Sequence, residues 1–438
     1  MRLAVAVQRY GADINGGAEL HARYIAERLA PHAGVEVVTT CARDYVTWRN
    51  EHPAGTETVN GIAVRRFAVD RERDPHDFGR RSAQVFGHPH SIAEELAWLK
   101  SEGPVSRGML DYLARGAFDF VILFSYRYYH AYHAARRLAD RAILVPTAER
   151  DPAIGLGMFG PVFRSVRAIM YNSHEERAMI QAAAGNAEVP GVVVGVGSDV
   201  PERADGQRFR RTFGIDRPFA IYVGRIDENK GCRELFDYYR RYAATFPRGL
   251  DLVLVGSAVM PVPEHARIHH LGFLPDQDKF DAMAAADLLI MPSYFESLSM
   301  VALEAWGMGK PVLANGRCDV LKGQCIRSGA GLYYGSYEEF AETLYALESN
   351  GPLHARLGRN GRDYFRTHYA WPVVERKYLD MLARLQREPA ARAIEPLPGW
   401  FARRQKNLPP AADVLASIPS GAVGLAPGDA VSARPPRA

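Results

Sequence analysis

The chain has little that would close a disulfide framework, cross a bilayer or hold a metal. Its 438 residues include four cysteines, Cys41, Cys232, Cys318 and Cys325, with no C-x-x-C pair among them. That excludes a disulfide scaffold and a thiol-ligated zinc ribbon, and the four read as ordinary buried thiols of a reducing compartment. No apolar run is long enough to span a bilayer, and Met1-Arg2 leads into a short strand instead of a secretory leader. The expectation is a soluble, cytoplasmic protein, with peripheral contact at the inner membrane face left open. A net charge of +4 is too small an excess to argue for nucleic acid. Arg71, Arg73, Arg80 and Arg81 read as a solvated loop before they read as an anion-binding patch. G-x-S-x-G, H-E-x-x-H and phosphate-loop motifs are missing, which disfavours serine hydrolase, zinc protease and P-loop ATPase chemistry. The histidine pairs at 88 and 90, 130 and 133, and 269 and 270 never reach the spacing of a complete ligand set. Asp276-Gln277-Asp278 follows Leu274-Pro275 and reads as capping of a helix over 279–285, not as a metal motif. No metal and no cofactor are expected.

Apolar residues, at 47% of the chain, suffice for two cores. Strand patterns at 3–8, 35–40, 62–67, 120–124, 142–145 and 168–171 alternate with helical ones at 18–30, 91–115 and 130–139. A second alternating set has strands at 219–223, 252–255, 268–271, 287–291 and 311–314. Strand-helix alternation implies an α/β fold with parallel sheets and ligands at the carboxyl ends of the strands. The expected domains are 1–200 and 201–370, linked through 192–203 with Gly195, Gly197 and Pro201. A helix at 371–386 follows, returning to the first domain. Residues 387–438, rich in Pro, Ala, Gly and Arg, carry no helical or strand period and read as a mobile tail. Within it Trp400-Phe401, with Arg403, Arg404 and Lys406, suits either a membrane interface or packing on a neighbouring domain.

Three loops carry the chemistry. The first runs from a buried strand through Pro292 to Glu296-Ser297-Leu298-Ser299-Met300-Val301-Ala302-Leu303-Glu304 and a helix ending at Gly307. A helix starting near Leu298 presents unpaired N–H groups and the positive end of its dipole, a site for a diphosphate. Glu304, about two turns further in, would face a ribose diol. The second loop, Gly224-Arg225-Ile226-Asp227-Glu228-Asn229-Lys230-Gly231, places two cations at the end of a strand. Both suit phosphate oxygens, although Asp227 and Glu228 offer surface ion pairs instead. The third, Asn15-Gly16-Gly17-Ala18-Glu19-Leu20, opens a helix whose glycines let backbone approach a bulky anion. Asp13 in that loop, and Glu149 after the strand at 142–145, are further acids on the same side.

Together these segments resemble the family-4 retaining glycosyltransferases, of the glycosyl transferases group 1 type. The resemblance covers about the first 385 residues. It is carried by the Gly224-Arg225 to Lys230 loop, Val253-Leu254-Val255-Gly256, His270-Leu271-Gly272-Phe273 and the E-x7-E segment, in the family's order. It implies a GT-B fold, two facing Rossmann-like doubly wound domains with the active site in the cleft between them. It also implies transfer of a sugar from a nucleoside-diphosphate sugar to a glycan or lipid-linked acceptor, with retention and without a metal. Arg225, Lys230 and Glu296 would then be catalytic. Gly16, Gly17, Gly224, Leu298, Ser299, Met300, Val301 and Glu304 would hold the donor, Gly272 and Phe273 would meet its base, and Asp13 and Glu149 would lie on the acceptor side. Two departures from the family stand out: Ser297-Leu298-Ser299 replaces the usual glycine-aromatic-glycine or glycine-aromatic-proline run, and Thr147-Ala148-Glu149-Arg150 lacks the histidine many members carry there. A nucleotide-sugar 2-epimerase of the same architecture and a catalytically silent glycan- or nucleotide-binding protein remain alternatives.

Overall fold

The computed structural model describes residues 1–14, 16–390, 395–397 and 411–418. The chain divides into two compact units, Met1–Glu395 and Pro396–Ala438. The first unit contains two sheets. The N-terminal sheet is built from β1 (Arg2–Ala6), β2 (Gly34–Thr40), β3 (Gly55–Val59), β4 (Ile62–Phe67), β5 (Phe120–Phe124), β6 (Ala142–Val145), β7 (Ala168–Tyr171) and β8 (Gly191–Val193). They lie in the order β3-β4-β2-β1-β5-β6-β7-β8, with β3 and β4 antiparallel and the other pairs parallel. The second sheet comprises β9 (Phe219–Val223), β10 (Asp251–Val255), β11 (Ile268–His270), β12 (Leu288–Met291), β13 (Val312–Asn315) and β14 (Gly331–Tyr334), in the order β11-β10-β9-β12-β13-β14 and wholly parallel. In each sheet the chain's first strand sits where the strand order reverses, and such switch points open a crevice beyond the carboxyl ends.

The central strands are covered on both faces, so they read as continuous apolar runs: every residue of Phe120–Phe124 and of Phe219–Val223 is buried. Strand β3, Gly-Thr-Glu-Thr-Val, is absent from the sequence expectation because it is polar and almost wholly exposed at the sheet edge. Its signal was the turn after it: Asn60 and Gly61 both adopt positive φ, 48° and 80°, the requirement of a two-residue hairpin. The helix expected over 91–115 is two helices, Ile92–Glu102 and Arg107–Arg115, divided at Gly103-Pro104. Gly103 takes φ 68°, and Pro104 has no N–H to continue the ladder.

Of the arginines read as a solvated loop, Arg71 and Arg80 are exposed, whereas Arg73 is not. Arg73 is largely buried against Glu102 at 3.0 Å, its guanidinium 4.8 Å from the Trp48 ring centre. Arg80 and Arg81 flank Asp77 on the helix Pro75–Gly87. Asp276 and Asp278 open the helix Asp276–Ala285 without capping it; Asp276 pairs with Lys279 at 3.2 Å and Asp278 with Arg208 at 2.5 Å.

The connection between the sheets owes its glycines to close packing. A Cβ on Gly195 would fall 2.4 Å from the Tyr369 ring, and one on Gly197 would fall 2.3 Å from Trp371. Trp371 opens the helix Trp371–Arg387, which lies against residues from the N-terminal sheet side: Tyr24, 5.4 Å between ring centres, and Arg28, 4.8 Å from the indole. Arg167 then donates to the carbonyls of Leu385, Glu388 and Pro389 at 2.5–2.9 Å, and Arg164 makes a two-pronged ion pair with Glu395 at 2.5 Å. The segment expected to be mobile from 387 onward is thus held as far as Glu395 where it is described. Ala411–Ala416 forms a short helix where no helical period was read. The Trp400-Phe401 and Arg403-Arg404-Lys406 cluster lies outside the described residues.

These contacts give a truncation test. A chain ending at Arg387 is expected to melt about 1–4 °C below one ending at Leu397, because Arg164 and Arg167 lose charge-assisted partners worth about 1–3 kcal/mol together. Calorimetry of the two truncations checks it.

Candidate functional site

A cleft of about 670 Å³ is lined from both sheets. From the N-terminal sheet come Gln8 and Arg9 beyond β1, Ser125, Tyr126, Arg127 and Tyr128 beyond β5, Thr147 and Glu149 beyond β6, and Asn172 beyond β7. From the second sheet come Arg225 and Lys230 beyond β9, with Glu296 to Met300 beyond β12. Every contributor sits past the carboxyl end of a parallel strand, as a doubly wound sheet dictates.

The β9 and β12 loops meet in an ion pair. Lys230 Nζ donates to Glu296 Oε1 at 2.8 Å. Burial works against the Lys230 charge, but the Glu296 carboxylate overrides it and holds the ammonium above its ordinary range. Glu149 faces this pair from the other sheet. Burial, then the charge of Glu296, pushes its carboxyl above the usual glutamate range. The β9 loop is pinned by Asp227, which accepts from the Lys230 backbone N–H at 2.8 Å and pairs with the Arg225 guanidinium. Glu228 pairs instead with Arg233.

The helix expected to begin near Leu298 begins at Met300 and runs to Gly307. Ser299 caps it, its hydroxyl accepting from Ala302 N–H at 3.4 Å, and takes φ 71°, a conformation that favours glycine. The last position of the Ser297-Leu298-Ser299 substitution therefore carries a backbone strain that glycine would not. Two more non-glycine residues in the cleft have positive φ, Ser125 at 64° and Thr147 at 48°, and the Thr147 hydroxyl donates to Ser125 Oγ at 2.8 Å. Residues held this way concentrate at functional sites, where the surroundings determine the conformation.

Of the glycines at the first helix, Gly17 is open, with nothing within 4 Å of where a Cβ would stand. Gly16 is crowded by its own chain. A Cβ there would lie 2.2 Å from the Glu19 carboxylate, which Arg9 holds at 2.6 Å.

Several expected residues lie off the cleft wall. Asp13 is half-exposed and pairs with Arg43 at 2.7 Å. Gly224 and Gly272 shape backbone: Gly224 has φ 152°, its carbonyl lies 1.9 Å from where a Cβ on Gly256 would stand, and the Gly272 carbonyl accepts from Gly256 N–H at 2.7 Å. Phe273 is 68% exposed, Val301 is half-buried in its helix, and neither lines the cleft. Glu304 is buried, its Oε1 accepting from Lys279 Nζ at 3.1 Å and Ser198 Oγ at 3.2 Å, while Oε2 is buried with no hydrogen-bond partner. Burial raises the Glu304 carboxyl even beside Lys279. Sequence reasoning missed Arg9, Tyr45, Arg127 and Tyr128. All four follow strand ends, Tyr45 beyond β2, and were available to that rule.

Residues 217–350 match the sequence profile of the family described as Glycosyl transferases group 1. The matched segment takes in the whole second sheet, β9 to β14, and about a third of the chain. Mannosylfructose-phosphate synthase of Agrobacterium fabrum is 24% identical over 204 residues, covering 41% of this chain and 43% of that one. Glycogen synthase of Mycobacterium tuberculosis is 25% identical over 343 residues, covering 72% and 78%. The chain thus spans less than half of the first relative and more than three quarters of the second. Among solved structures, sucrose-phosphate synthase of Thermosynechococcus elongatus superposes with a TM-score of 0.64 at 16% identity, over 88% of this chain and 99% of that one. Anabaena HepE in complex with UDP and glucose gives 0.63 at 18%, over 87% and 99%. The two parallel-sheet domains have the GT-B fold.

Proposed function

We propose that the chain is a group 1 glycosyltransferase that moves a sugar from a nucleoside-diphosphate sugar to a hydroxyl of a glycan or glycolipid precursor, with retention of anomeric configuration and without a metal. The observation that carries this reading is the convergence of Lys230, Glu296, Arg225 and the Met300 helix N-terminus on one side of a cleft with Gly17 and Glu149 on the other. The structure of HepE in complex with UDP and glucose supports a nucleotide-sugar donor.

In this mechanism the anomeric carbon loses its bond to the diphosphate and gains one to the acceptor oxygen, and the acceptor proton passes to a diphosphate oxygen on the same face. Lys230, Arg225 and the N–H groups of the helix beginning at Met300 stabilise the charge left on the diphosphate. Glu296 accepts from sugar hydroxyls. Glu304 and the Gly272-Phe273 backbone lie off the wall of this cleft, and they meet the ribose and the base only when the domains close on the donor. Water exclusion by cleft closure limits donor hydrolysis. The test is proton NMR of the first-formed product with EDTA present: the donor's anomeric configuration is expected in the product at undiminished rate. An inverted centre, or activity lost to EDTA and restored by a divalent ion, overturns the assignment.

Glu149 gives this reading a pH dependence. Its folded carboxyl titrates above the ordinary glutamate range, and its ionised form adds negative charge beside the diphosphate. Nucleotide-sugar affinity is therefore expected to fall as pH rises through that titration, with the fall absent in Glu149→Gln. Calorimetric titrations across pH measure both.

A further inference from the structure

A second groove, about 620 Å³, adjoins the cleft and shares Glu149 and Glu296 with it as common wall. One wall is the exposed face of the helix His174–Ala184, with Ala178, Ala182 and Ala183 beside Met179. The facing wall comes from the second sheet, with Tyr294 and half-exposed Phe295 immediately before Glu296, and Val320 further on.

The charges around this groove are satisfied within the chain. Arg150 reaches across to Asp319 at 2.9 Å, Glu175 pairs with Arg327, and Arg317 pairs with Glu234. Glu176 accepts from the backbone N–H groups of Ala148 and Asn172 at 2.6 and 2.5 Å. None of these groups is left over for an anion. The groove offers an apolar channel with neutralised edges, and one end of it opens on the carboxylates proposed to flank the transferred sugar. Its volume is that of a site for a drug-sized ligand. A single ring would leave most of it wet, whereas an alkyl chain can run its length against the alanine face, with flexible Met179 adapting to it.

We propose that this groove is an acceptor subsite for the alkyl chain of an uncharged glycolipid, placing the acceptor's sugar hydroxyl at the Glu149–Glu296 junction. The inference rests on the glycosyltransferase reading and names the acceptor class for the same site.

Saturation-transfer NMR with butyl, octyl and phenyl glucosides below micelle formation tests it on the full chain, wild type and Ala182→Trp. Ala182 is exposed, so the indole fills the groove without entering the core. Octyl glucoside is expected to bind at least about tenfold more tightly than butyl glucoside, as burial of four further methylenes requires. That advantage should disappear in Ala182→Trp. Equal affinity for the two chain lengths, an octyl signal unchanged by Ala182→Trp, or phenyl glucoside binding more tightly than octyl overturns the proposal. A nucleotide-sugar titration of the same samples separates the two readings. Donor binding without chain-length dependence sinks the subsite alone, and chain-length dependence without donor binding sinks the transferase reading on which its acceptor role depends. If Ala182→Trp fails to fold, Met179→Lys, which places a charge in the channel, takes its place.

Discussion

Replacing Lys230 with alanine is expected to lower glycosyl transfer by about 100-fold or more, the scale seen when one fixed stabiliser of developing charge is removed. The side chain does two things at once. It brings a cation to the point where the β9 and β12 loops meet, and it neutralises Glu296, whose charge already opposes ionisation of Glu149. Its removal leaves Glu296 with no cation at 2.8 Å and turns a balanced site into one that repels a diphosphate. The loss should therefore divide between kcat and donor affinity. Arg225→Ala is expected to cost less, because Arg225 is half-exposed and Asp227 holds its guanidinium. Steady-state kinetics with a nucleotide sugar, alongside calorimetric titration of the nucleoside diphosphate, read both effects. Turnover in Lys230→Ala within a few-fold of wild type would remove Lys230 from the mechanism.

Much of this site was legible in the sequence because its parts are local. Arg225, Lys230 and Glu296 each follow a strand whose apolar run is unmistakable, and the carboxyl-end rule places all three without knowledge of the packing. What stayed hidden was the set of side-chain partners. Gly16 lines the cleft as expected, and the Glu19 carboxylate, held by Arg9, occupies the space beside it. Glu304 lies at the spacing that aims it toward a ribose, but Lys279 and Ser198, neither predictable from helix periodicity, claim one of its oxygens. Arg73 seemed to belong to a solvated loop until Glu102 and the Trp48 ring enclosed it. Boundaries failed for local reasons instead. The helix begins two residues late because Ser299 adopts left-handed backbone, and β3 went unread because an edge strand need not be apolar.

Gly231→Ala is expected to disable the protein almost as fully as Lys230→Ala, by a different route. Gly231 takes φ 72° where the β9 loop turns into the helix Cys232–Thr245, and a Cβ there would stand 2.1 Å from the carbonyl oxygen of Pro292. That oxygen belongs to the β12 loop on its way to Glu296 and is itself fixed, accepting from the Asn315 side chain at 3.0 Å. The obstacle is therefore backbone, which cannot swing aside as a side-chain tip can. Left-handed strain and displacement of the two loops together should cost about 3 kcal/mol, near the upper part of the range for single substitutions. For the unit Met1–Glu395 that is a fall in Tm of about 4 °C. Separating the loops also breaks the register between Lys230 and Glu296, so turnover should drop by tens of fold even at temperatures where the variant stays folded, since an ångström of misplacement is that costly. Gly335→Ala is the control, a glycine without positive φ whose nearest neighbour to an added Cβ is the Glu339 carboxylate at 3.4 Å. Thermal melts and kinetics of the two variants decide the matter: a Gly231→Ala protein that melts and turns over like wild type would show that the β9 and β12 loops are not locked together at Pro292.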